Sequence, residues 1–181
     1  VNVIGMDYDD LDGDGDVDFV GATNSGLTIF TNQGDTDNDG NDNFITSPID
    51  ILNSSGVRDV TIADFNGDGK LDIAAVGSQY NEVLFGNGGN GDNVLNNSDY
   101  TSSNIGAASS LGQAYGVDSG DINGDGFVDF ARTNYYNSPL QILYSDGAAG
   151  TFSTQVIQDE YNQNSLDLDI GDIDGDGDLD F

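Results

Sequence analysis

A short acidic string recurs four times in this chain and limits its fold more than any other feature. It reads "DLDGDGDVDF" from residue 10, "DFNGDGKLDI" from 64, "DINGDGFVDF" from 121 and "DIDGDGDLDF" from 172. The shared pattern is D-x-[DN]-x-D-G-x-x-D. Its first aspartates, Asp10, Asp64, Asp121 and Asp172, stand 54, 57 and 51 residues apart. Such a period is expected of propeller blades or solenoid units, each too small to bury a core alone.

The flanks repeat with the loops. Apolar residues alternate before them at Ile4, Met6 and Tyr8, at Val60 and Ile62, and at Leu166, Leu168 and Ile170. They alternate again after the loops at Val17 and Phe19, at Leu71, Ile73 and Ala75, and at Val128 and Phe130. A third stretch comes next at Leu27 and Ile29, Val83 and Phe85, and Leu140, Ile142 and Tyr144. After a Gly/Asn/Asp-rich turn comes a shorter fourth, with Phe44 and Ile45, Tyr100, or Phe152 and Val156. A period of two marks half-buried strands, and no stretch has a helical period. The chain therefore reads as all-β, built of repeated four-stranded antiparallel blades. The units are 1–54, 55–111, 112–162 and a partial fourth at 163–181. Residues 1–19 align with 163–181, and Phe181 falls where a strand should begin. The expectation is a piece of a longer chain, or a unit completed by its neighbours.

Charge narrows the function. Thirty-three acids face three bases, Arg58, Lys70 and Arg132, for a net charge of −30. Nucleic acid and anionic membrane surfaces both call for clustered Lys and Arg, so neither is an expected partner. Hydrophobic residues make up 36% of the chain, too many for a purely solvating acidic tail. Cysteine and histidine are absent, which removes thiolate and imidazole metal sites. No apolar run is long enough to span a membrane as a helix. No leader precedes the first repeat, so a secreted protein would be represented by its mature or internal part.

The loop composition suits calcium. Positions 1, 3 and 5 offer side-chain oxygens, glycine at 6 permits a sharp bend, position 7 offers a backbone carbonyl, and position 9 a carboxylate. Ca²⁺ takes six to eight hard oxygens, and this set supplies them. The side-chain ligands are then Asp10, Asp12, Asp14 and Asp18; Asp64, Asn66, Asp68 and Asp72; Asp121, Asn123, Asp125 and Asp129; and Asp172, Asp174, Asp176 and Asp180. The carbonyls come from Asp16, Lys70, Phe127 and Asp178, whose unlike side chains fit a backbone role. Mg²⁺ demands stricter octahedral geometry, and zinc prefers nitrogen or sulfur. A solvated acidic turn would not explain why the spacing holds while the flanks drift. An EF-hand is excluded by the strand-like flanks and by Gly21, Ala75 and Arg132 at position 12, where a bidentate Glu is needed. A less complete copy, "DTDNDGNDN", places Asp35, Asp37, Asp39 and Asn43 at positions 1, 3, 5 and 9 and raises the expected ions from about four to five. The glycine-rich stretch 86–94 reads as a loop.

Loops followed at once by Phe19, Ile73, Phe130 and Phe181, then by a hydrophobic strand and an Asn/Asp-Gly turn, resemble the FG-GAP/VCBS-type repeat. The resemblance covers essentially the whole chain, although the Phe-Gly/Gly-Ala-Pro signature is only partly present at Phe19, Gly21 and Ala22. It implies one repeat per blade of a calcium-binding β-propeller, with the ion clamping the hairpin between a blade's first two strands. Three and a fraction blades cannot close a ring. A partial propeller and an open, stacked array, as in a filament self-associating through its chain ends, are both compatible with this count.

The resulting expectation is a non-catalytic, calcium-binding structural or adhesion module of a secreted or cell-surface protein, with a surface protein or glycan as possible partner. An enzyme is disfavoured because there is no His, no Cys, and a single Lys that lies inside a loop. A sugar-binding propeller is the other alternative. Its best exposed aromatics are Tyr135 and Tyr136, beside Arg132, with Tyr80 at a comparable turn.

Overall fold

The computed structural model describes residues 2–49, 56–78, 80–89, 94–107, 113–135, 139–148, 151–157 and 165–181. Three four-stranded antiparallel sheets account for most of them. The first holds β1 (Val3–Asp9), β2 (Asp18–Thr23), β3 (Gly26–Asn32) and β4 (Phe44–Ile49). The second holds β5 (Val57–Ala63), β6 (Asp72–Gly77), β7 (Tyr80–Gly86) and β8 (Tyr100–Ala107). The third holds β9 (Ala114–Gly120), β10 (Asp129–Asn134), β11 (Leu140–Ser145) and β12 (Phe152–Ile157). Each sheet is a meander whose neighbours in sequence are neighbours in space. The acidic loops join the first two strands of every sheet.

The sheets pack as blades. The first strands lie side by side, β1 against β5 and β5 against β9, while the fourth strands stay outermost. Between blades one and two, Val20, Ala22, Leu27 and Ile29 bury Val60, Ile62, Ile73 and Leu84. Between blades two and three, Ala74, Val76, Val83 and Phe85 bury Val117, Phe130 and Leu143. Each fully buried side chain of this size contributes about 1.5–3 kcal/mol, so these seams dominate the stability of the array. The corresponding face of blade one has no blade before it among the described residues. It leaves an apolar groove lined by Val3, Met6, Phe19, Gly21, Phe30 and Phe44.

The fourth repeat differs from the strand–loop–strand expected. Only one bridge, Gly171 with Asp180, links its two arms, and residues 165–170 form no regular strand. The segment still docks on blade three, where Ile170 and Leu179 approach Gly120. A 3₁₀ turn at Asn97–Asp99 interrupts the otherwise all-β chain, closed by a capping box between Asn96 and Asp99.

One backbone–carboxylate bond crosses each junction, and its origin alternates. Asp7, three residues before the first loop, accepts the N–H of Ile62 at 2.8 Å, and Asp118, three before the third loop, accepts that of Ile170 at 2.7 Å. At the middle junction the acceptor is Asp59, five residues before the second loop, which takes the N–H of Val117 at 3.0 Å. Glycines complete the pattern. A Cβ on Gly5 would lie 2.3 Å from Asp59 Oδ1, and one on Gly116 would lie 2.8 Å from Asp167 Cα. Odd blades thus carry glycine where even ones carry aspartate.

Candidate metal-binding loops

The four loops share one turn, and short-range hydrogen bonds explain it. The first aspartate folds back over the loop. Asp10 accepts Gly13 and Gly15 N–H at 2.8 and 3.0 Å, Asp64 accepts Asp68 and Gly69 at 3.1 and 2.8 Å, and Asp121 accepts Asp125 and Gly126 at 3.0 and 2.9 Å. Asp172 repeats the pattern with Gly175 and Gly177. Position 3 accepts the N–H of position 5, whether it is Asp12, Asn66, Asn123 or Asp174. Position 5 accepts the N–H of position 7, so Asp14 bonds Asp16, Asp68 bonds Lys70, Asp125 bonds Phe127 and Asp176 bonds Asp178. Position 7 therefore joins the turn through its backbone whatever its side chain.

Positions 4 and 6 both take a left-handed φ, which favours glycine. In the first loop Gly13 and Gly15 have φ of 79° and 97°, and the other three loops repeat this left-handed pair. No neighbour crowds Gly13 or Gly15, so backbone conformation and not space selects glycine there.

The ninth aspartate ties loop to blade. One oxygen of Asp18 accepts the N–H of Leu11 at 3.0 Å, and the other accepts that of Asn32, at the end of β3, at 2.8 Å. Asp72 bonds Phe65 and Gly86 in the same way, and Asp129 bonds Ile122 and Ser145. All three are fully buried. Burial pushes Asp18 and Asp72 up to about 6 against the pull of those N–H groups, and it raises Asp129 as well. Asp180 accepts Ile173 N–H at 3.1 Å and remains partly exposed, with no third strand beside it.

Carboxylates converge at three places among the described residues. Asp10, Asp12 and Asp18 bring ligand oxygens within 4.8 Å of one another, as do Asp172, Asp174 and Asp180, and Asp35, Asp37 and Asp39. The fifth-position residues Asp14 and Asp176 stay outside those groups. Loops two and three carry Asn66 and Asn123 at position 3, so they lack a third carboxylate there. Asp12 Oδ2 is buried with no hydrogen-bond partner, and Asp12 is raised by burial and then by Asp14. The Asp35 loop copies the turn, with Asn38 and Gly40 at positive φ and Asp35 accepting Asp39 and Gly40 N–H. Asn43 does not join it. Its amide donates to Gly34 O at 3.4 Å, because it closes the base of the β3–β4 turn.

The aromatic candidates fare differently. Tyr136 and residues 90–93 of the glycine-rich stretch lie outside the described residues, and Tyr80 opens β7. Tyr135 is half-buried, its ring 5.0 Å from that of Tyr115. Arg132 does not face solvent beside it. It is fully buried, its Nε donates to Gln141 Oε1 at 2.8 Å, and burial lowers it to about 10.

Comparison with known proteins agrees with this architecture. The sequence model of the FG-GAP-like repeat matches residues 10–75 and 121–181. Each match opens on an odd-numbered loop and runs through the next even one. No curated protein sequence matches the chain. Among solved structures, a lectin from Agrocybe aegerita, described for specific recognition of non-reducing terminal N-acetylglucosamine, superposes with a TM-score of 0.52 at 19% identity. The alignment covers 83% of this chain and 37% of the lectin chain, and at that identity it shows a shared fold alone.

Proposed function

Since this chain belongs to the FG-GAP-like repeat family, we propose that it is a non-catalytic scaffold or adhesion module whose acidic loops are clamped by calcium. The carrying observation is the convergence of Asp10, Asp12 and Asp18, with the buried Asp12 Oδ2 left without a partner. Three carboxylates held this close repel one another, and a divalent cation removes that penalty. The donors are all oxygen, which fits calcium and not zinc. Asp18, Asp72 and Asp129 link each loop to the end of a third strand, so an ion there stiffens a blade and not merely a turn. Asp35, Asp37 and Asp39 would hold a fifth ion on the outer hairpin. Millimolar extracellular calcium fills even weak sites of this kind, which favours a secreted or cell-surface setting.

Equilibrium dialysis against labelled calcium tests the reading. The expected result is about four to five ions per chain, one fewer after Asp10→Asn with Asp12→Asn. Fewer than one ion per chain at millimolar calcium would reduce the loops to acidic turns.

A further inference from the structure

Every complete blade is bulged at the same place on its first strand. The irregularity falls between Val3 and Gly5 in β1 and between Val57 and Asp59 in β5, so Ile4 and Arg58 are the additional residues. In β9 it falls at Tyr115 and Gly116, opposite Arg132–Asn134 of β10. A bulge re-aims a side chain. Here Ile4, Arg58 and Tyr115, with Leu166 at the equivalent point of the fourth repeat, line one cavity of about 360 Å³ together with Asp59 and Asp167. That volume lies in the range of small-molecule sites.

The lining is not a structural plug. The seams between blades reuse like residues at like positions, such as Val60 and Val117. This cavity instead draws an isoleucine, an arginine, a tyrosine and a leucine from equivalent positions. The arginine is held ready. Its guanidinium carbon lies 4.8 Å from the centroid of Tyr115, which Tyr135 braces from beside it. Arg58 Nε is buried and has no hydrogen-bond partner, a costly condition for a charged donor.

Charge selects the occupant. The net charge of −30 opposes an anion at long range, and a donor-only organic cation, though drawn to Asp59 and Asp167, leaves the donor-only Arg58 unanswered. An uncharged polyhydroxylated ring meets neither penalty. Its hydroxyls both donate and accept, matching a donor-only guanidinium and acceptor-only carboxylates in one wall. We propose that this cavity binds a neutral hexose, with Arg58 donating to its hydroxyls, Asp59 and Asp167 accepting from them, and Ile4 and Leu166 packing on its C–H face. The site is separate from the acidic loops and does not depend on their ion.

The test is a titration of the full chain, in calcium, with glucose, galactose, mannose and N-acetylglucosamine to tens of millimolar. It tracks the Arg58 Nε–H and Tyr115 ring resonances by NMR, with circular dichroism checking the fold. At least one hexose should shift both resonances saturably, while glucuronate should not. Arg58→Met should weaken that binding at least about tenfold. Leu166→Trp, at a position 59% exposed and so tolerant of bulk, should abolish it by filling the cavity. Either of two outcomes overturns the proposal: no hexose moves Arg58, or binding survives Leu166→Trp unchanged in a folded protein.

Discussion

Asp18 and Asp180 hold the same place in loops that differ only at Leu11 against Ile173 and Val17 against Leu179. Their surroundings diverge. Leu11 is 5% exposed and packs in the seam between blades one and two, whereas Ile173 is 77% exposed. Asp18 also caps the end of β3, a bond that Asp180 has no strand to make. Nine residues suffice to build the turn. Its burial, and hence its electrostatic cost, comes from the rest of the blade.

The largest test of this contrast is chelation. A site held at a hundredfold over its Kd contributes about 2.7 kcal/mol, and about 1 kcal/mol moves the melting temperature of a chain this size by roughly 2–4 °C. Excess EGTA should therefore lower the melt by tens of degrees. An unchanged melt would remove calcium from the account of both loops. The next effect compares Asp18→Asn with Asp180→Asn in calcium-free buffer. The asparagine amide at 18 would turn a donor toward a buried N–H, costing about 1–3 kcal/mol. At 180, where one partly exposed bond is at stake, the loss should stay below about 1 kcal/mol. Equal losses in denaturant unfolding would mean that blade context adds nothing.

Acidification gives a smaller effect with a definite sign. Asp18, Asp59 and Asp72 are raised by burial to about 6, above the ordinary value of about 3.9. Between those values the folded chain holds protons that the unfolded chain has released. Stability therefore falls as pH rises through that window, and the whole penalty is present above it. Metal-free protein should melt higher at about pH 5 than at about pH 7. Calcium-loaded protein should do the reverse, as protons displace the ion. A metal-free melt that drops on acidification would contradict the burial argument. The smallest expected effect is on affinity: loops two and three, with one carboxylate fewer, should release calcium before one and four during EGTA titration. Asn66→Asp should delay release from loop two by several-fold. Equal release across all four would show that rigidity outweighs charge.

The loops and strands were legible because their causes are local. Alternation at Val60, Ile62, Ile73 and Ile29 states which faces are buried, whereas the same alternation at Met6 and Tyr8 falls on the face of blade one that no blade covers among the described residues, and glycine at position 6 announces a bend. Glycine at position 4 was equally visible in Gly13, Gly67, Gly124 and Gly175, and the structure shows the same left-handed backbone there, which Asn38 also adopts in the Asp35 loop. The junction bonds of Asp7, Asp59 and Asp118 were not legible. Each meets a backbone N–H more than fifty residues away, and an amide group leaves no mark in the sequence. Arg58 hid for a related reason, since only the bulge turns it into a cavity. Tyr135 read as exposed beside Arg132, yet it is half-buried against Tyr115, and Arg132 itself is fully buried.

The alternation of junctions gives the array a parity. Gly5 makes room for Asp59, and Gly116 for Asp167. Remove the third blade alone, and Asp59 would meet Asp167, carboxylate against carboxylate; remove the second alone, and two glycines would face across a void. Blades can be gained or lost without such a fault only in twos. A closed ring that keeps the rule at every junction must hold an even number of blades.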